Sequence, residues 1–309
     1  LGFALSQLPS TTLQRIVGRF ELRRGVGIVV PEDARICKTI LIAPGRSLGA
    51  TPSQIVVAEL EDKGLLTNSP VGHVVEILGT IDEPGMETEI AVRKFDLPYK
   101  FSEETKKEIK RFSDSVTKSD LRDRVDLRDI PFVTIDGADA KDFDDALSIR
   151  KLKEGLWEVG VHIADVTHYV KEGGIIDKEA EKRATSVYLV DRTIPMLPER
   201  LCNFICSLRP NEEKLAFSVI FNITEKGEVK DSRIVHTVIN SDRRFTYEEA
   251  QQIIETKEGD FKEEVLTLDT IAKALREKRF SAGAINFDRY EVKFEIDEKG
   301  KPISVNFKE

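Results

Sequence analysis

Cysteine is scarce in this sequence of 309 residues: Cys37, Cys202 and Cys206 are the whole set. An odd, sparse set cannot build a disulfide framework and fits a reducing compartment, which points to a cytoplasmic protein. Zinc is poorly served as well. Cys202 and Cys206 have no second Cys/His pair, and His162 and His168 lie six apart, which suits no common zinc pattern. His162 falls on the strand face opposite Val159, Val161 and Ile163, and both histidines read as structural. No apolar run approaches the roughly 18 residues that a membrane span needs, so no membrane is expected as a partner. The opening LGFALSQLPS lacks the basic start and long apolar middle of a signal peptide. No GxxxxGK[ST] loop is present to cradle a nucleotide phosphate. A basic excess is missing too, since the net charge is −8. That argues at first against nucleic acid, which normally leaves a basic footprint. Net charge is a sum over the chain, however, and a site built from carboxylates can coexist with local basic patches.

What is there suits two domains. Residues from about 14 to 80 read as short strands. In RIVGRFEL, Ile16, Gly18, Phe20 and Leu22 alternate with Arg15, Val17, Arg19 and Glu21, the period of a half-buried strand. The run Ile28, Val29, Val30, then KTILIA, QIVVAEL and VGHVVEIL complete a set of five, separated by turn-rich breaks. Five short strands suit a small closed barrel such as an OB-fold. On strand pattern alone, a β domain with no ligand fits equally well. Residues 102–128 are highly charged and read as a short solvated helix and a linker. Beyond Val133 the pattern is mixed. ALSIRKLK and LWEVGVHIAD pair across Glu154-Gly155 as a hairpin. Helices are expected near 177–187, 246–256 and 263–279, the second opened by a capping box of Thr246 and Glu249. In the third, Val265, Leu268, Ile271, Ala272 and Leu275 form one apolar stripe.

The stretch TIDGADAKDFDDAL places Asp136, Asp139, Asp142, Asp144 and Asp145 within ten positions. Carboxylates this close repel one another, and burial raises their pKa values further. A divalent cation would relieve both costs, and hard oxygen ligands suit magnesium or manganese. An EF-hand is excluded, because its glycine is missing whether the loop starts at Asp136 or at Asp139. A solvated acidic loop remains the competing reading. It would not normally be flanked by Phe132, Val133 and Ile135 on one side and Ala146 and Leu147 on the other.

The same stretch resembles the signature of the RNB exoribonuclease family, which includes ribonucleases R and II. VDLRDIPFVTIDG leads into it. VHIADVTHYV, ATSVYLVDRTIPMLPERL, CSLRPNEEKLAFSV and INFDRYEVKFEID follow in the family's order. Upstream, GRFELRRGVGIVVPEDARICKTILIAP resembles the family's second cold-shock-type OB domain. The resemblance covers nearly the whole chain, and Gly137 brings it closer to the ribonuclease R branch. It implies an α+β fold. Residues 1–13 would be the tail of a preceding region and 14–98 an N-terminal OB-fold barrel. A charged helix and linker would occupy 99–128, and 129–309 a truncated RNB catalytic domain.

The activity it implies is 3′→5′ exoribonucleolytic. Single-stranded RNA would be hydrolysed stepwise to nucleoside 5′-monophosphates with magnesium, or manganese in its place. Asp136, Asp142, Asp144 and Asp145 match the four active-site aspartates, with Asp144 catalytic and Asp136, Asp142 and Asp145 as metal ligands. Asp139 falls where the family varies. Tyr188 matches an aromatic that stacks near the terminal nucleotides, Phe287 looks like the opposing aromatic, and Tyr247 matches a tyrosine near the bound ribose. Taken singly, Tyr188 at the end of a helix and Phe287 before a strand could each be core. At 189–191, LVD departs from the Phe-Pro-type turn usual in ribonuclease R. Independently of the family, Arg19, Arg23 and Arg24 sit among the first strands, where they could meet RNA phosphates.

Two rivals stay open on sequence: a non-catalytic OB-fold RNA-binding protein, and a DNA nuclease with the same metal chemistry. The chain begins at Leu1 without Met and stops at Glu309 soon after KPISVNF, whereas the family's unit is longer. The expectation is a fragment of a longer, monomeric enzyme. The piece by itself should be weakly active, with the stripe at Val265, Leu268 and Leu275 partly uncovered.

Overall fold

The computed structural model describes residues 15–61, 70–153, 155–286, 291–298 and 301–308. The chain divides into two compact units. One comprises Leu1–Lys100, Ser186–Ile194 and Asp288–Glu309; the other comprises Phe101–Thr185 and Pro195–Phe287.

The first unit opens with five strands: β1 (Arg15–Arg23), β2 (Val26–Pro31), β3 (Ile40–Ile42), β4 (Gln54–Leu60) and β5 (Val71–Thr80). They close into a barrel in the order β1-β2-β3-β5-β4, antiparallel except where β3 meets β5. Ile16, Phe20, Val29, Ile40, Ile42, Val56, Ala58 and Val74 form its core. Gly18 is required by close approach, because a Cβ there would lie 2.4 Å from the Val30 carbonyl oxygen. The alternation along β1 holds only in part. Ile16 and Phe20 are buried as expected, but Val17 is also buried and Leu22 is 55% exposed. Helix α1 (Met86–Lys94) is the reason for the first difference. Its Met86 packs with Val17, Ile55 and Val57 on the barrel's outer side. Leu22 lies opposite Gly27, close to the hairpin tip at Arg24-Gly25, beyond the reach of the core. Both tip residues have positive φ, 51° and 80°, as a two-residue hairpin loop requires.

The chain continues through α2 (Glu103–Ile109), β6 (Val125–Asp126), β7 (Phe132–Asp136), β8 (Asp145–Lys151), β9 (Leu156–Ala164), α3 (Val166–Tyr169) and α4 (Ile175–Arg183). Next come the short strands β10 (Val187–Tyr188) and β11 (Thr193–Ile194), which belong to the first unit. A π-helix (Arg200–Ile205) precedes β12 (Glu213–Thr224), β13 (Val229–Asn240), β14 (Arg243–Thr246), α5 (Tyr247–Thr256) and α6 (Lys262–Ser281). The antiparallel pair β15 (Glu291–Ile296) and β16 (Pro302–Lys308) completes the described chain.

The second unit is organised on a seven-stranded mixed sheet in the order β14-β7-β8-β9-β12-β13-β6. Alternating residues feed two separate cores. Phe132, Ala146, Ala164, Ala216 and Ile239 join Phe143, Ile176, Leu201, Ile205 and Leu208 in one. On the other face, Val133 and Phe245 pack with Ala250, Ile253 and Val265, while Ile149, Val159 and Ile223 pack with Ile271. The α6 stripe is therefore largely covered: Val265 and Ile271 are buried, and Leu268 and Leu275 pack against the Ile271 cluster. Ala272 alone of the stripe faces solvent. His162 is structural, as expected. It is fully buried, with Nε2 2.9 Å from Ser148 Oγ, Nδ1 2.7 Å from Ser218 Oγ, and its ring edge-on to Phe132.

Candidate active site

β7 ends at Asp136 and β8 begins at Asp145, so residues 137–144 form the loop that joins them. β14 runs parallel to β7, with Arg244 opposite Thr134 and Thr246 opposite Asp136. The expected capping box at the start of α5 is present: the Glu249 N–H donates to Thr246 Oγ1 at 3.0 Å, and the Thr246 N–H donates to the Glu249 carboxylate at 2.8 Å. That cap sets Tyr247 at the first helical position, 56% exposed and beside the loop. Its Cε2 lies 4.0 Å from where a Gly137 side chain would begin.

Two side chains distant in sequence hold the loop. Arg244 Nη2 donates to the Gly137 carbonyl at 2.6 Å and to the Ala138 carbonyl at 3.1 Å. On the other side, buried Ser207 follows the π-helix. It accepts from the Phe143 N–H at 2.9 Å and donates to the Lys141 carbonyl at 2.9 Å, so it grips the peptides on both sides of Asp142. Phe143 is the loop's anchor in the core. The Ala164 N–H donates to the Asp144 carbonyl at 2.8 Å and ties the loop's end to β9.

The four motif aspartates are close enough to act on one another. Burial pushes the Asp136 carboxyl up to about 6, the negative charges of Asp145, Asp144 and Asp142 push the same way, and the Arg244 guanidinium opposes them. Asp144 is exposed by area, yet enough protein surrounds its carboxyl that burial heads the causes of its upward shift, followed by Asp142 and Asp145. Asp136 Oδ2 is buried and accepts no hydrogen bond. A buried carboxylate oxygen without a donor, within electrostatic reach of three further carboxylates, fits the hard-oxygen donor set of magnesium or manganese. Among the described residues, however, no three acidic, His or Cys side chains already converge on a single point that could hold an ion.

The remaining candidates lie elsewhere. Tyr188 belongs to the first unit, on β10 and not at a helix end, since α4 stops at Arg183. Its side chain is 71% exposed and its backbone pairs with Thr193 of β11. Within the same unit, Arg192 joins that hairpin to α1 by pairing with Asp191 at 2.7 Å and Glu89 at 2.6 Å. Arg19 and Arg23 project from β1 and share Glu21, at 3.2 and 3.0 Å, while Arg24 occupies the hairpin tip. Phe287 lies outside the described residues. Arg244 and Ser207 were not singled out by sequence reasoning. Ser207 sits in CSLRPNEEK and Arg244 three residues before Tyr247, and neither position carries a local signal of its partner.

Residues 124–309 match the RNB domain model and residues 28–102 match the cold shock domain model. The chain is 42% identical to ribonuclease R of Thermotoga maritima over 301 residues, which is 95% of this chain but only 42% of that protein. Among solved structures it is similar to Mycoplasma genitalium RNase R in complex with double-stranded RNA, with a TM-score of 0.86 at 25% identity, over 95% of this chain and 53% of that one. Yeast Ssd1, described as a pseudonuclease, shares the fold at a TM-score of 0.68 and 22% identity, over 87% of this chain and 34% of its own.

Proposed function

The chain belongs to the RNB family, and from that premise we propose that it carries the metal-dependent active centre of a 3′→5′ exoribonuclease releasing nucleoside 5′-monophosphates. The observation that supports catalysis is the intact set Asp136, Asp142, Asp144 and Asp145, mutually repelling around a buried carboxylate oxygen that has no donor. Magnesium bound there would supply a low-pKa attacking water and neutralise charge on the scissile phosphate. Asp136, Asp142 and Asp145 are the ligands on this reading, and Asp144 is the catalytic aspartate. On this reading Tyr247, which is exposed beside Gly137, meets the terminal ribose, the group that distinguishes RNA from DNA. Tyr188, exposed on its hairpin, offers a stacking face to a base in single-stranded RNA. Among the described residues no helix is long and apolar enough to cross a membrane.

The test uses 5′-labelled and 3′-labelled RNA with the full-length protein that contains this chain. Stepwise shortening from the 3′ end that yields 5′-monophosphates and stops on EDTA treatment is the expected result. Asp144→Asn removes charge and not shape, so it should nearly abolish turnover while RNA is still bound. Hydrolysis at the parent rate by Asp144→Asn would overturn the site. RNA binding with no hydrolysis by the parent would leave the non-catalytic reading standing.

A further inference from the structure

The 137–144 loop contains no regular secondary structure. Its shape, and with it the positions of Asp136 and Asp142, must be fixed by groups outside it. The side-chain contacts that do this, from Arg244 and Ser207, reach the peptide backbone and not the carboxylates. The choice of partner is informative for Arg244, because its guanidinium is near enough to act on the charge of Asp136 yet donates to the neutral carbonyls of Gly137 and Ala138. An ion pair with Asp136 would have occupied the acceptor that a cation needs. Donation to the carbonyls leaves Asp136 Oδ2 without a partner. The guanidinium carbon also lies over the Phe143 ring, 5.5 Å from its centroid. Arg244 Nε is itself buried with no acceptor, so the side chain is held by Nη2 alone. Ser207 does the same for Asp142: one hydroxyl satisfies the peptide before it and the peptide after it.

We propose that Arg244 and Ser207 are positioning residues that clamp the two ends of the loop, so that Asp136 and Asp142 are presented, unpaired, to a divalent cation. The inference rests on the metal-binding reading of the aspartates. Hydrogen bonds that orient ligands commonly carry 10- to 100-fold in metal affinity. Because Nη2 alone reaches both carbonyls, Arg244→Met, which removes every donor, is the decisive change.

Manganese titrated into the protein without RNA, with the free ion read by electron paramagnetic resonance, tests this apart from turnover. The parent should bind saturably. Arg244→Met and Ser207→Ala should each bind about tenfold more weakly or worse. Their kcat should fall at fixed KM for RNA and recover at high metal concentration, which a merely structural defect would not allow. Ser207→Ala strands the buried Phe143 N–H, so each variant is first checked by thermal melting, and Arg244→Met carries the test if Ser207→Ala does not fold. Parent-like affinity in Arg244→Met overturns the positioning role. A parent that binds no manganese overturns the metal reading itself, and the inference with it.

Discussion

Arg124 Nη2 donates to Asp165 Oδ2 at 2.6 Å, and neither side chain is exposed beyond a few per cent. Asp165 also accepts from the Thr167 hydroxyl and caps α3 by accepting the His168 N–H, and its Oδ2 lies 3.1 Å from His236 Nδ1. Burial pushes its carboxyl up, but these hydrogen bonds and the Arg124 charge overcome that and hold it below its ordinary value. The pair joins the charged linker before β6 to the end of β9.

Removing one partner from such a pair leaves a buried charge uncompensated, at a cost of about 3–5 kcal/mol. Arg124→Met and Asp165→Asn are each expected to destabilise the second unit on that scale. Urea unfolding followed at Trp157, the sole tryptophan, measures it. Replacement of both by apolar residues should cost less than the two single changes together. Additivity would show that the two are not coupled.

His162 gives the second unit a defined pH dependence. Burial holds its imidazole down to about 4, against an ordinary value of 6.5. The folded state therefore binds fewer protons than the unfolded state between these values. Stability is fully present above about pH 6.5 and is lost as pH falls toward 4, by about 3 kcal/mol at roughly 1.4 kcal/mol per pKa unit. His162→Asn should flatten this slope between pH 5 and 7. An unchanged slope would assign it to other groups.

Tyr188→Ala should leave stability within about 0.5 kcal/mol of the parent, because the side chain is mostly exposed. Binding of short oligonucleotides should weaken by about 1–3 kcal/mol if a base stacks there. Fluorescence anisotropy with 5′-labelled oligonucleotides decides it; equal affinity returns Tyr188 to a surface role.

On β1, one carboxylate is shared by two guanidiniums, which lowers the charge that Arg19 and Arg23 offer to phosphate. Glu21→Gln should raise RNA affinity and steepen its salt dependence, and Arg19→Ala with Arg23→Ala should make it shallower. Identical slopes in all three proteins would show that this edge does not meet RNA.

Features local in sequence were legible. The barrel strands followed from alternation, the α5 start from Thr246 and Glu249, and the mutual repulsion of the aspartates from their crowding in sequence. Features set by distant partners were not. Val17 is buried because α1, some 70 residues later, packs outside the barrel. Tyr188 sits in a hairpin because only two residues pair on each side, too few for a periodic signal. Arg244 and Ser207 act on the loop across 107 and 64 positions, through a parallel strand pairing and a π-helix that no local pattern encodes.

That separation also fixes a schedule. A chain emerging from the ribosome at about 5–20 residues per second delivers β14 on the order of 5–20 s after the aspartate loop. During that interval four aspartates exist without Arg244 to shape their backbone. The backbone of the loop therefore takes its final shape only once β14 has paired with β7 and brought Arg244 to the Gly137 and Ala138 carbonyls.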